Sequence, residues 1–314
     1  MVDKPLIIFD TDMDTDCDDA GALGLLLNFV KNDKAELLGI IADTPTKNAA
    51  PCCEAICDWY GINVPIGAVS EEKYASDPRF SEYRSHRNGI AEGKYYNAIL
   101  ARKIEKTDKD YCSAAIAYRK LLANAPDGGV TVVCVGLLTA IAELFGTSGD
   151  NISPLSGIEL FRKKVKMVVS MGNADYPEQR KYNFNYKMDR IGTAEFFENC
   201  PVSVHISKAG TSIITGKYFS KNYSENHPLR IAYEAFMGGE NIGRSSWDLI
   251  AVLYALNHES SIFKTNSYGK IGYNTDNVVF WSNNESRKDY AVELTVTDDE
   301  MTEIIEKMLI KGEN

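Results

Sequence analysis

Between Asp10 and Asp19 the chain carries six aspartates in ten positions, Asp10-Thr11-Asp12-Met13-Asp14-Thr15-Asp16-Cys17-Asp18-Asp19, directly after the apolar run Leu6 to Phe9. The run reads as a short buried strand, and the apolar spacing from Ala20 through Leu26 to Val30 reads as a helix. The acids therefore sit on the turn between them. Carboxylates crowded at the end of a buried strand repel one another, and all can stay ionised only with positive charge among them. Hard oxygen donors point to Ca²⁺ or Mg²⁺ rather than zinc. A solvated acidic turn is the plain alternative, because Asp favours an N-cap and the positive end of a helix.

Two familiar acidic loops fit poorly. An EF-hand starting at Asp10 needs Gly at its sixth position and Glu at its twelfth, where this chain has Thr15 and Gly21, and it follows a helix rather than a strand. An aspartyl-phosphate loop of the haloacid dehalogenase kind wants Thr or Val two residues after its second Asp, and here that residue is Asp14.

The rest of the chain alternates strand, polar turn and helix, the pattern of a parallel sheet covered on both faces. Strands are expected at Glu36 to Ala42, Pro65 to Val69, Val130 to Val135, Lys164 to Ser170 and Val202 to Ile206. Helices are expected at Ala49 to Tyr60, Tyr96 to Lys106, Cys112 to Ala123, Leu137 to Phe145 and Trp247 to Leu256, with shorter strands after His258 and a last helix from Asp299 to Leu309. The polar stretch Glu71 to Gly93, with Arg79, Arg84, His86 and Arg87, lacks clear periodicity and reads as a loop bordering the site. A second polar segment with several Tyr leads to Asn183. No repeat or linker interrupts the 314 residues, so one domain over 1–314 is the simplest organisation.

A net charge of −10 without a run of Lys and Arg argues against nucleic-acid polymers and anionic membranes, both of which need a basic face. No apolar segment reaches membrane-spanning length and no signal-peptide pattern opens the chain. The expected location is cytoplasmic, or periplasmic or secreted where a leader has been removed. Seven scattered cysteines fit reduced thiols in the core better than a disulfide framework.

Four segments together resemble the nucleoside hydrolase family. Asp10-Thr11-Asp12 with Asp18-Asp19-Ala20 is similar to its amino-terminal Asp-x-Asp…Asp-Asp-Ala motif, in a form with two extra residues between the Asp pairs. Val132 to Ala142 resembles the segment in which a strand runs into Thr-Gly-x-Leu-Thr-Asn-Ile-Ala. Met171-Gly172 followed by Asn183-Phe184-Asn185 resembles Met-Gly…Glu-Phe-Asn, and Ser246-Trp247-Asp248 with Ala251-Val252 resembles His-Asp-Pro-x-Ala-Val. The matches keep their order from Leu6 to Leu256, and the last fifty or so residues match loosely.

The resemblance implies an open, mostly parallel, Rossmann-like α/β sheet and a Ca²⁺ ion at the bottom of a ribose pocket. It assigns the ion to Asp12, Asp19 and Asp248 with the backbone carbonyl of Val135, where the family usually has Thr. Asp12 would activate a metal-bound water as general base, and Asp18, Asn183, Asn185, Met171 and Trp247 would bind the ribonucleoside. A homodimer or homotetramer also follows from the resemblance. Trp247 stands where the family commonly has a His near the leaving base, and Asn183 where it has Glu. Trp cannot donate a proton at neutral pH; it can stack on a base or simply pack. These two departures leave a non-catalytic calcium-dependent sugar or nucleoside binder open as the second function, and a haloacid dehalogenase-type phosphatase as a distant third. His86 and His205, placed by no motif, read as structural.

Overall fold

The computed structural model describes residues 4–176, 183–274, 276–283 and 286–311. Among the described residues thirteen strands form: β1 Leu6–Thr11, β2 Glu36–Ala42, β3 Ile66–Ala68, β4 Cys112–Ser113, β5 Val130–Cys134, β6 Val165–Met171, β7 Ser203–Ser207, β8 Ile214–Thr215, β9 Arg244–Ser245, β10 Phe263–Asn266, β11 Lys270–Tyr273, β12 Val279–Ser282 and β13 Tyr290–Leu294. Nine of them build one sheet in the order β10-β13-β7-β6-β5-β1-β2-β3-β4. All neighbours in it run parallel except β10 on β13. β11 with β12 and β8 with β9 form two small antiparallel ribbons.

This order decides where a ligand belongs. From β1 the chain builds outward through β2, β3 and β4, then returns to place β5 on the other side of β1 and continues through β6 and β7. The loops after β1 and β5 consequently leave the sheet in opposite directions, opening a crevice at their carboxyl ends. The acidic turn follows β1, and Val135-Gly136 follows β5.

Alternation along β1 supplies both layers of the core. Ile7 and Phe9 join a cluster with the helices Asp18–Lys31, Ala49–Tyr60 and Trp247–Asn257, whereas Ile8 joins the cluster built with Ala114–Asn124, Thr139–Phe145 and Arg190–Asn199. Both faces of the sheet are thereby covered, as the strand–helix alternation implies. Six of the seven cysteines are buried as small core residues, and Cys112 is half-buried.

Some local expectations need correction. Glu71 to Gly93 is largely helical, with turns at Glu71–Tyr74 and Pro78–Phe80 and a helix at Ser81–Gly89. Its apolar anchors Tyr74, Phe80 and Tyr83 are few and irregularly spaced, and Arg79 and Arg87 also point inward, so the stretch offers little apolar pattern to read. Cys112 lies in the edge strand β4 rather than a helix, and the helix at Tyr96 ends at Ala101. Residues 177–182 of the Tyr-bearing segment lie outside those described.

The sheet's far edge is tied by a buried ion pair. Asp289 accepts from Val204 N at 2.9 Å, Ile271 N at 2.7 Å and Arg287 Nη2 at 2.8 Å, while Arg287 donates to the carbonyls of Cys200 and Ile271 at 2.7 and 3.0 Å. Removing one partner strands the other charge away from water. Asp289→Ala should therefore lower unfolding stability by about 3–5 kcal/mol, read as a fall in the denaturant midpoint; a midpoint unchanged within error would refute this assignment.

Candidate functional site

The structure sorts the six aspartates of the turn into three destinations. Asp10, the penultimate residue of β1, turns beneath the site, where it accepts from Tyr118 and lies beside the like-charged Asp43. Asp14 is neutralised from the side: it accepts from Tyr83, Arg87 and Asn97. Arg87 belongs to the segment expected to be a loop, so that segment supplies charge compensation to the acidic turn. The remaining four, Asp12, Asp16, Asp18 and Asp19, stay near Asp248, which the first turn of the helix Trp247–Asn257 brings in.

Among the described residues, one group of three offers oxygens within 4.8 Å of one another: Asp16, Asp18 and Asp248. Asp12 and Asp19 adjoin this group and repel each other, with Thr15 Oγ1 donating to Asp12 Oδ2 at 2.7 Å and Thr11 donating to Asp19. The backbone N–H of Asp248 donates to Asp18 Oδ2 at 3.2 Å, which links the two distant segments directly. Asp16 is a member of the triad that the expected ligand set lacked.

Electrostatics make this arrangement costly without a cation. Burial, and then the neighbouring carboxylates, push Asp18, Asp19 and Asp248 well above the ordinary carboxylate range. Asp12 is pushed up to about 7, chiefly by burial. Asp19 Oδ2 is buried with no hydrogen-bond partner. An all-oxygen donor set with an unpaired buried oxygen fits a hard divalent cation, which would hold these groups ionised.

The other expected residues gather around the same crevice, a pocket of about 870 Å³ lined by Asp12, Asp16, Asp18, Val135, Met171, Asn183, Asn185, Trp247 and Asp248. Asn185 Nδ2 donates to the Val135 carbonyl at 2.6 Å and lies 3.5 Å from Met171 Sδ, joining the ends of β5 and β6. Asn183 caps the helix Phe184–Met188 by accepting from Tyr186 N at 3.0 Å, so its side-chain oxygen is engaged locally. Trp247 donates from Nε1 to Thr211 Oγ1 at 3.0 Å while remaining in the pocket wall. His205 is structural, bonded to the Tyr254 hydroxyl at 2.6 Å. His86 lines the pocket with its ring 4.6 Å from that of Phe184.

Sequence reasoning missed Arg244, which reaches from β9 to donate to Asp16 Oδ2 at 2.7 Å. Its one sequence signal is proximity to Trp247-Asp248.

Gly136 holds the crevice narrow. A Cβ at this position would overlap the backbone nitrogen of Asp12 and Oδ2 of Asp43. Gly136→Ala should displace the acidic turn at a cost of about 1–3 kcal/mol. Thermal or denaturant melts of the variant beside the wild type check this; an unchanged midpoint would count against it.

The fold is shared with solved structures over nearly the whole chain. It resembles the crystal structure of an inosine-uridine preferring nucleoside hydrolase from Bacillus anthracis, at 16% identity and TM-score 0.68, covering 98% of this chain and 100% of that one. An inosine-guanosine nucleoside hydrolase aligns at 15% identity and TM-score 0.65 over 98% and 99% of the two chains. The type III effector protein XopQ, solved in complex with adenosine diphosphate ribose, aligns at 12% identity and TM-score 0.73 over 99% and 95%. No curated protein matches the chain in sequence. Residues 7–303 match the family model for inosine-uridine preferring nucleoside hydrolase, and the chain belongs to that family. Membership together with the shared fold makes it a hydrolase acting on N-glycosyl bonds.

Proposed function

We propose that this protein hydrolyses the N-glycosidic bond of ribonucleosides, releasing free base and ribose, with Ca²⁺ held at the acidic floor of the pocket. The observation that carries the reading is the convergence of Asp12, Asp16, Asp18, Asp19 and Asp248, from two distant segments, on one crevice. Asp12, Asp19 and Asp248, with the Val135 carbonyl, are the ligands the family motif suggests, and Asp16 and Asp18 are close enough to contribute. A bound calcium ion supplies positive charge that orients a sugar diol and makes an adjacent water more acidic.

The chain's own residues do the rest. Asp12 accepts the proton of the attacking water, which requires a base that is partly ionised at working pH. As the bond from C1′ to the base nitrogen breaks, positive charge builds on the ribose, and the carboxylates of Asp12, Asp16, Asp18 and Asp248 stabilise it. Asp18 and Asn185 hold ribose hydroxyls, Met171 walls the sugar, and Asn183 and Trp247 border the base. Contacts to several hydroxyls at once make rejection of 2′-deoxyribonucleosides the expected specificity. The family also suggests a homodimer or homotetramer.

A second reading, a calcium-dependent binder that does not turn over, is favoured by the engaged oxygen of Asn183 and by the fold shared with XopQ. The discriminating experiment offers inosine, adenosine, uridine and cytidine with Ca²⁺ and follows ribose and base. Equimolar release over many turnovers supports hydrolysis. Binding by calorimetry without release would replace it with the second reading.

A further inference from the structure

We infer that Arg244 stabilises the departing base, supplying the charge-assisted hydrogen bond that no acid in the Trp247 position can supply. The inference deepens the hydrolase reading and rests on it.

Cleavage sends the bonding electron pair to a ring nitrogen of the base, so the leaving group gains negative charge as the sugar gains positive charge. The floor of the pocket is carboxylate and suits only the sugar. At the edge of that floor, next to Asp16, stands Arg244, which with Trp247 and Phe236 lines the same pocket as Asp12, Asp18 and Asp248. The Arg244 guanidinium lies 5.1 Å from the Trp247 ring centroid and 5.3 Å from that of Phe236, a cation bracketed by two aromatic faces. One nitrogen, Nη2, is fixed by Asp16 at 2.7 Å. Another, Nε, is buried and has no hydrogen-bond partner.

An arginine donor left unsatisfied while its own carboxylate partner stands beside it is energetically unfavourable. An acceptor arriving with the substrate would relieve that cost once a shift of the Arg244 side chain turns Nε toward the pocket that the residue lines. A purine ring nitrogen or the O2 of a pyrimidine is such an acceptor, and becomes a stronger one as the bond breaks. Because arginine stays protonated at any working pH, its role is a hydrogen bond to the base anion and not proton transfer. The balance then closes without another group: water adds to C1′, its proton goes to Asp12, the electron pair stays on the base, and the base takes a proton from solvent.

The rival role for Arg244 is to neutralise Asp16 and keep the acidic turn in place. Leaving-group chemistry separates the two. Inosine has a poor leaving group, whereas 4-nitrophenyl β-D-riboside expels a stable phenolate that needs little help. Arg244→Met should lower kcat on inosine by about 10²-fold, the usual cost of one preorganised donor, and its loss on the nitrophenyl riboside should be at least tenfold smaller. Arg244→Lys, which keeps the charge without the planar fork, should fall between. Equal losses of kcat on both substrates would assign Arg244 to the turn and overturn the inference, as would no loss on either. Wild-type protein that cleaves neither riboside overturns the hydrolase reading, and this inference with it.

Discussion

Asp12→Asn should lower kcat for ribonucleoside hydrolysis by about 10²–10⁴-fold, the range expected when a general base is replaced by an isostere that cannot accept the proton. The same substitution should leave the metal-free protein as stable as the wild type or more so. Asp12 is buried, its carboxyl is pushed up to about 7, and its neighbours Asp16 and Asp19 are acidic. An amide oxygen can still accept from Thr15 Oγ1 and carries no charge to repel them. A residue that costs stability and supports turnover is what a site built for chemistry predicts. Ribose-release kinetics beside thermal melts in chelator measure both halves. Activity within threefold of wild type would remove Asp12 from the mechanism.

The second large effect concerns pH and metal together. Unfolded, Asp10 and Asp12 titrate near 3.8; in the folded metal-free chain burial raises them to about 6 and about 7. Between those values the folded protein holds protons that the unfolded chain has released, so stability falls as pH rises, and the share of the loss due to Asp10 and Asp12 completes near pH 7. Asp18, Asp19, Asp43 and Asp248 are shifted the same way, and more strongly. A divalent cation reverses the preference by favouring the ionised forms. Apparent calcium affinity should therefore tighten about tenfold per pH unit for each proton the ion displaces. The rise in melting temperature on adding Ca²⁺ should be small at pH 5 and large at pH 8. His205 and His227 act in the opposite sense, since burial lowers both to about 4 and their stabilisation is lost as pH falls below 6.5. They are common to both forms, so the difference between melts with and without the ion isolates the carboxylates. A calcium shift independent of pH would contradict the picture of a repulsive acidic floor.

The floor of the site was legible because its chemistry is local: six aspartates following a buried strand have few physical explanations. The alternation of strands and helices likewise exposed a parallel sheet with two covered faces. Partners distant in sequence were not legible. Nothing in the sequence says that Asp14 belongs to Arg87 and Tyr83 while Asp16 belongs to Arg244, because sheet order and the packing of Ser81–Gly89 decide it. Ser81–Gly89 lacks a helical signature in the sequence because it is strongly polar, with Tyr83 as its one buried residue, and its Arg87 reaches inward to Asp14. The cross-strand position of β13, inserted between β7 and β10, is another long-range decision. Even within the legible motif, spacing alone could not tell that Asp16, lying between the two Asp pairs, would join Asp18 and Asp248.

The central claim is that a divalent ion in this crevice enables ribonucleoside cleavage. The direct measurement strips the protein with chelator, assays ribose release from inosine and uridine, then titrates Ca²⁺ back. Activity should vanish on stripping and return in full at one equivalent of ion per chain, and Asp248→Ala should abolish the recovery. Release that continues unchanged in metal-free protein would contradict the account.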